Sequence, residues 1–433
     1  MRYAWFTLAA GFLVARAAIP QDLPPGVLLL SRVRRHTEEE LKRLPNISCL
    51  QTVRRYEQLP NARMRPLDVV RLEVLNADDK ELFASPGERR FSEQPPIGYV
   101  GSGTMGDGYF GLYLKLVLLN NYVTYAFKGL EDSAGRRLAR WDYRISPMWS
   151  GQTIELPEGK GTVGLHGSFW ADPETEDVVR LELNGDEFPP SIPLTEAVWV
   201  IRYTRTLLDN KMSVLLPESG EFRMTRFTGA VSENRTEFTH CRAFGTESSI
   251  QFDEPGAAGR IPAFAVALVD QTLRDLPKGV QITVKLGTKI SADMAVGTLI
   301  AGTVGANVPP KGKVLIAAGS PVQGRIRRLE RYAEPSSHYI VALEFTELES
   351  QGIRYRFLAD MVGMDSPPGV EATLSFTNTR VAAGLPDGGR QVRTDTETLT
   401  LPRVTGVASF FVKGDRLNLP QGFRTVWRTR SLK

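Results

Sequence analysis

The stretch "GTVGLHGSFWADPETEDVVRLEL", residues 161–183, decides the fold. Each end alternates apolar and polar residues, which is the period of a β-strand, and "DPET" (172–175) sits between them as a turn. Two alternating runs joined this tightly make a hairpin, and the hairpin is the unit from which the rest of the chain can be read.

The same pattern extends in both directions. "VVRLEVL" (69–75) alternates; Val123, Tyr125 and Phe127 share one strand face, and Trp141, Tyr143 and Ile145 share another, with "EDSAGRR" (131–137) as the turn between them. A third pair flanks "LLDNK" (207–211), and "MSVLLPESGEFRMTRF" (212–227) and "RTEFTHCRAF" (235–244) add strands. Two helices interrupt the β pattern. In residues 27–44, Leu30, Val33, Thr37, Leu41 and Leu44 fall at helical spacing; the polar run Arg34–Glu40, with His36, reads as a solvated face, and Pro45 and Asn46 stop the helix. The run 109–119 is the second helix, capped by Asp107.

"DEPGAAGRIP" (253–262) is rich in Gly and Pro and reads as a boundary, with a linker at 254–262. Beyond it "VQITVKL" (280–286), "YIVALEF" (339–345), "IRYRFLA" (353–359) and "VASFFV" (407–412) all alternate. A turn ending in Gly precedes a strand three times, at Leu276–Gly279, Ile316–Gly319 and Leu419–Gly422. A small β-barrel or sandwich uses such a device at its corners. The expected fold is therefore mainly β: residues 18–253 form a curved antiparallel half-barrel sheet with two helices, and 263–433 form a second all-β barrel or sandwich.

The chain begins with Arg2, an apolar run over 4–15 and the small-x-small triplet Ala15-Arg16-Ala17, the pattern of a signal peptide spanning 1–17; an uncleaved anchor is the alternative. Its loss would leave 51 basic against 49 acidic residues, a balance that gives no reason to expect nucleic acid. The basic runs "RRYE" (54–57) and "RIRRLER" (325–331) read as solvated strand faces. In an exported chain the two cysteines, Cys49 and Cys241, are expected to form one disulfide, the alternative being two buried thiols.

Recognisable chemistry is sparse. Gly101, Gly103 and Gly106 in "YVGSGTMGDGYF" (99–110) have the G-x-G-x-x-G spacing of a dinucleotide loop, but the paired prolines of "SEQPPIG" stand where that motif needs a strand, and hairpins follow it. They read instead as a hinge-like gate loop before the 109–119 helix. The histidines at 36, 166, 240 and 338 form no ligand motif, "DPETED" (172–177) lacks calcium-loop spacing, and His240 and Cys241 point to opposite strand faces, so neither metal nor cofactor is expected. His166 and Ser168 share a strand face and are the nearest approach to a catalytic dyad, with no acidic partner placed by the pattern. A curled sheet has an apolar interior, and Phe127, Trp141, Tyr143, Phe169, Trp199, Tyr203 and Phe222 are the candidates to line it as a cavity, the alternative being that they form the core of the domain.

From the helix at 27–44 through "LPNISCLQTVRRYE" (44–57) to "HGSFWADPETEDVVRLEL" (166–183), residues ~25–253 resemble the LolA/LppX-like lipoprotein-carrier superfamily. That resemblance implies a half-open barrel closed by helices and holding acyl chains. "GTLIAGTV" (297–304) and "VLIAAGSPVQGRI" (314–326) resemble the β-barrel domain of TrbI-like conjugation proteins, and the whole chain looks like an uncharacterised group of exported bacterial proteins. The expectation is a periplasmic or outer-membrane-associated, non-enzymatic protein binding a lipid, acyl chain or lipoprotein. The alternatives are a cell-envelope component whose second half docks a protein partner, and an exported hydrolase without a recognisable motif.

Overall fold

The computed structural model describes residues 23–78, 80–88, 90–133, 135–209, 212–244, 273–311, 314–382 and 391–431. The expected signal peptide and the linker at 254–262 lie outside them. The molecule is mainly β, as the alternation demands.

Helix α1 (Pro25–Arg43) opens with Pro at its first position, where a missing N–H costs nothing, and closes with Lys42 and Arg43 against the negative end of its dipole. Strands β1 (Ile47–Gln58), β2 (Arg65–Ala77) and β3 (Lys80–Ala84) follow. Next come a short helix α2 (Leu112–Leu114), which runs on as a π-turn (Lys115–Leu119), and then β4 (Thr124–Ser133) and β5 (Arg136–Ile145). The single-turn α3 (Pro147–Ser150) and a small pair, β6 (Thr153–Leu156) and β7 (Gly159–Thr162), precede β8 (Gly164–Ala171) and β9 (Val178–Asp186). Strands β10 (Leu194–Leu208), β11 (Met212–Arg226) and β12 (Val231–Ala243) complete one antiparallel sheet in the order β3-β2-β1-β12-β11-β10-β9-β8-β5-β4. The hairpin of residues 161–183 is β8–β9, with Phe169 opposite Leu181.

The second half repeats the device with shorter strands. These are β13 (Arg274–Asp275), β14 (Gln281–Leu286), β15 (Ile290–Ser291), β16 (Leu299–Val304), β17 (Val308–Lys311), β18 (Val314–Ile316), β19 (Pro321–Tyr332) and β20 (His338–Ser350). Then follow β21 (Ile353–Arg356), β22 (Ala359–Met364), β23 (Val370–Glu371), β24 (Thr373–Ala382), β25 (Gln391–Thr400), β26 (Val407–Lys413), β27 (Asn418–Leu419) and β28 (Arg424–Thr429). The main path of this sheet is β13-β21-β20-β19-β16-β14-β28-β22, and β26 branches from β20. The three repeated turns are corners leading into β14, β19 and β28. Gly279, Gly319 and Gly422 have φ of 80°, 82° and 87°, a backbone that suits glycine best.

Cys49 on β1 and Cys241 on β12 are bonded, so the disulfide joins neighbouring interior strands that come first and last along the chain in the first sheet. The two sheets also meet directly. Val296 exchanges backbone hydrogen bonds with β2, donating to Val69 O at 2.7 Å and accepting from Arg71 N at 2.9 Å, and one cluster of buried apolar side chains runs through both sheets.

Candidate functional site

The concave face of the first sheet carries most of the aromatic residues expected to line a cavity. Trp141 stacks on Phe169 at 5.1 Å and Trp199 on Phe222 at 4.8 Å, and these four, with Tyr143 and Tyr203, are buried to 6% exposure or less. What buries them is the chain itself. Tyr109, Phe110, Tyr113, Val117 and Leu118 fill the curl: Tyr113 lies 6.1 Å from Trp199, and Tyr203 donates to the Tyr109 carbonyl at 3.2 Å. The expectation of an aromatic-lined cavity is corrected here, because the helix meant to cover the face occupies it as core. Phe127 departs in the other direction. It sits on the edge strand β4, 44% exposed, against Trp141 at 5.2 Å.

The glycine-rich loop is also something other than expected. Arg55 on β1 grips Asp68 on β2 with two bonds of 2.7 and 2.6 Å, and the same guanidinium donates to the Ser102 carbonyl. Ser102 Oγ reaches Glu330 at 3.2 Å and Tyr332 Oη at 2.9 Å, both on β19 of the second sheet. Arg328 closes the set, 2.6 Å from Glu330. A Cβ on Gly101 would fall 2.5 Å from Arg328 Nε, and Gly103 holds φ at 78° beside Arg55. The loop is thus a pin seated between two arginines and two carboxylates, and this geometry is that of a fastened segment, not of a gate. Burial pushes the Asp68 carboxyl up, against the pull of Arg55, and burial together with Glu330 pushes Tyr332 up to about 12. "RRYE" and "RIRRLER" therefore do not read as solvated faces throughout: Arg54 is exposed and pairs with Glu237, whereas Arg55 and Arg325 are buried.

A real cavity opens elsewhere, at the β3 end of the same concave face. It has a volume of about 890 Å³. The C-terminal turns of α1 (Leu41, Leu44), the β2–β3 hairpin (Leu82, Phe83) and the segment from Asp107 to Leu119 (Phe110, Leu112) surround it. Charged residues share the lining with these apolar ones: Glu38 pairs with Lys42, and Lys80 with Glu93 at 2.9 Å. Glu81 lies within. Its carboxylate accepts from the N–H groups of Gly108 at 2.7 Å and Phe110 at 2.9 Å, just ahead of α2, whose N-cap is Gly111 with no side-chain bond, so the cap expected from Asp107 is not made. Burial outweighs those two bonds and pushes Glu81 up to about 7; burial likewise raises Asp107. No sequence signal marks Glu81, since "KELFA" is an ordinary strand with one acidic residue.

The remaining expected sites disperse. Ser168 donates to Asp142 at 2.7 Å and accepts from Arg140, while His166 faces Asp186 at 3.6 Å, so the serine and histidine are bound to different partners. His36 is not simply solvated: it meets Asp177 at 2.9 Å beside Arg205, fixing α1 to β10 and to the β8–β9 turn. Among the described residues no three metal-ligating side chains cluster, and no helix is long and apolar enough to cross a membrane.

Fold and groove together define a class: a curled antiparallel sheet wrapped around its own short helix, open at one end, with a second β body pinned against it. No family model matches the chain, and no curated protein does. Among solved structures, a DUF1329 family protein from Desulfovibrio piger ATCC 29098 aligns over 52% of this chain and 93% of its own, at 11% identity and a TM-score of 0.24. Neither fold nor function is carried over at that score.

Proposed function

We propose that this chain is an exported, non-enzymatic binding protein that holds an amphiphile such as a lipid or fatty acid in the groove between α1, β3 and the Asp107–Leu119 segment. One observation supports the reading: a cavity of about 890 Å³, within the range of ligand sites, whose lining mixes leucine and phenylalanine side chains with charged and amide groups in similar measure. Apolar burial would supply the affinity and the rim would orient a polar head. The reading keeps the lipid ligand implied by the LolA/LppX-like resemblance, but moves it from the aromatic face to the β3 end. The experiment is native mass spectrometry of the protein isolated from its own cells, joined to titration with 11-dansylundecanoic acid. Lipid-sized adducts that vanish on delipidation, and saturable blue-shifted dansyl emission from the delipidated protein, are expected. A single bare mass together with unshifted emission overturns the reading.

A further inference from the structure

Two turns meet at the open end of the β4–β5 hairpin and hold apolar side chains outward. In α3, Pro147 opens the single turn and Gly151, with φ of 62°, closes it. Ser150 points inward and donates to the Val163 carbonyl, which leaves Met148 and Trp149 on the outer side. In the turn before β4, Asn120 donates to the Trp149 carbonyl at 3.0 Å and accepts from the Tyr122 N–H at 2.9 Å. Tyr122 thereby lies flat on Trp149, with ring centroids 3.7 Å apart. Met148 is 79% exposed, Tyr122 57% and Trp149 44%. An ordered aromatic pair with a methionine beside it, left in water, is an interaction surface and not a scatter of single residues.

The chemistry of the tip selects its partner. Among the described residues neither the Trp149 indole N–H nor the Tyr122 hydroxyl has a hydrogen-bond partner. Rings with an apolar body and a free polar tip suit the boundary between lipid headgroups and acyl chains, where both ends are satisfied at once. The segments that build the tip, residues 108–130 and 143–154, hold Lys115, Lys128 and Arg144 and no Asp or Glu. The carboxylates that reach in from other strands, Asp142, Asp186 and Glu187, meet Lys128 and Arg144. A tip built without acids escapes the repulsion that a carboxylate meets at an anionic headgroup layer. The tip also borders the groove: Leu119 lines the cavity, and the next residue is the Asn120 that holds Trp149. We infer that Tyr122, Met148 and Trp149 dock on the surface of a lipid bilayer and set the end of the groove against it. The docking stands on the tip alone; that it serves loading or release of an amphiphile rests on the binding reading above.

Flotation of the protein isolated from its own cells, with vesicles of phosphatidylcholine and phosphatidylglycerol, tests the docking. The wild type should float, and Met148→Ser combined with Trp149→Ser should lower the bound fraction at least about tenfold, because the apolar area that enters the interface is gone. Leu207→Ser, which removes an apolar side chain 58% exposed at the far end of β10, should leave flotation unchanged. Vesicles of brominated phosphatidylcholine should quench tryptophan emission in the wild type, and Trp149→Phe should still float yet lose most of that quenching. A wild type that does not float overturns the docking, as does flotation that the double variant keeps. Should the double variant not fold, Tyr122→Ser flotation and Trp149→Phe quenching decide. A dimer in sedimentation velocity that the double variant abolishes, in a protein that does not float, assigns the tip to a second copy and overturns the bilayer. 11-Dansylundecanoic acid separates the two readings. Flotation without probe uptake keeps the docking and removes the ligand; probe uptake without flotation does the reverse.

Discussion

The two ends of one concave face differ in what fills them. Towards β5 and β8 the curl is packed with Trp141, Phe169 and Tyr143, and Tyr109 and Phe110 of the turn before α2, with Tyr113 of α2, seal the centre. Towards β3 the face is hollow. Helix α1 ends at Arg43, Pro45 forbids its continuation, and the chain drops into β1 before it can cover the hairpin. What remains over β3 is a rim of charged side chains that cannot be pressed into an apolar core. Strand alternation decides which face is apolar; where the helices stop decides which part of that face becomes core and which becomes a site.

The packed end is broken most directly by Trp141→Ala. Trp141 is 1% exposed and stacked on Phe169. Its removal should cost about 5 kcal/mol, seen as a large drop in the urea midpoint at unchanged m-value. A loss under about 1 kcal/mol would mean that this end, too, has room to spare. The next effect belongs to the pin between the sheets. Arg55→Ala strands Asp68 as a buried carboxylate, while Glu330 keeps Arg328, and should cost about 3 kcal/mol. Arg55→Met combined with Asp68→Leu replaces the pair by packing and should recover most of that loss. If the double variant were as unstable as the single, the energy would lie in the Ser102 contact and not in the pair.

The comparison also explains what could be read in advance. The hairpins, the corner glycines and the Cys49–Cys241 bond follow from local period, turn chemistry and cysteine count, all of which are written along the chain. The pin does not, because Arg54 and Arg55 look alike in sequence, and only the alternation of a strand between two sheets buries the second. The groove does not either. Leu41, Glu81 and Leu112 meet there from three separate segments, and each taken alone has an ordinary reading: a helix stripe, a strand acid, a helix start. The aromatic residues were legible as an apolar face, but no local pattern says that Tyr109–Leu118 would be the ligand of that face.

The smallest structural effect and the sharpest functional one should come from the same residue. Leu112 lines the groove yet is 54% exposed, so it contributes shape to the cavity and little to the core. Leu112→Arg should shift stability by no more than about 0.5 kcal/mol, as surface changes do. It should nonetheless place a charge against the apolar wall and weaken 11-dansylundecanoic acid at least tenfold, equivalent to about 1.4 kcal/mol of binding. Thermal unfolding and probe titration on one preparation test both halves. Unchanged affinity in the folded variant would move the amphiphile out of this groove, and the hollow end of the face would then be a gap left by a helix that stops early.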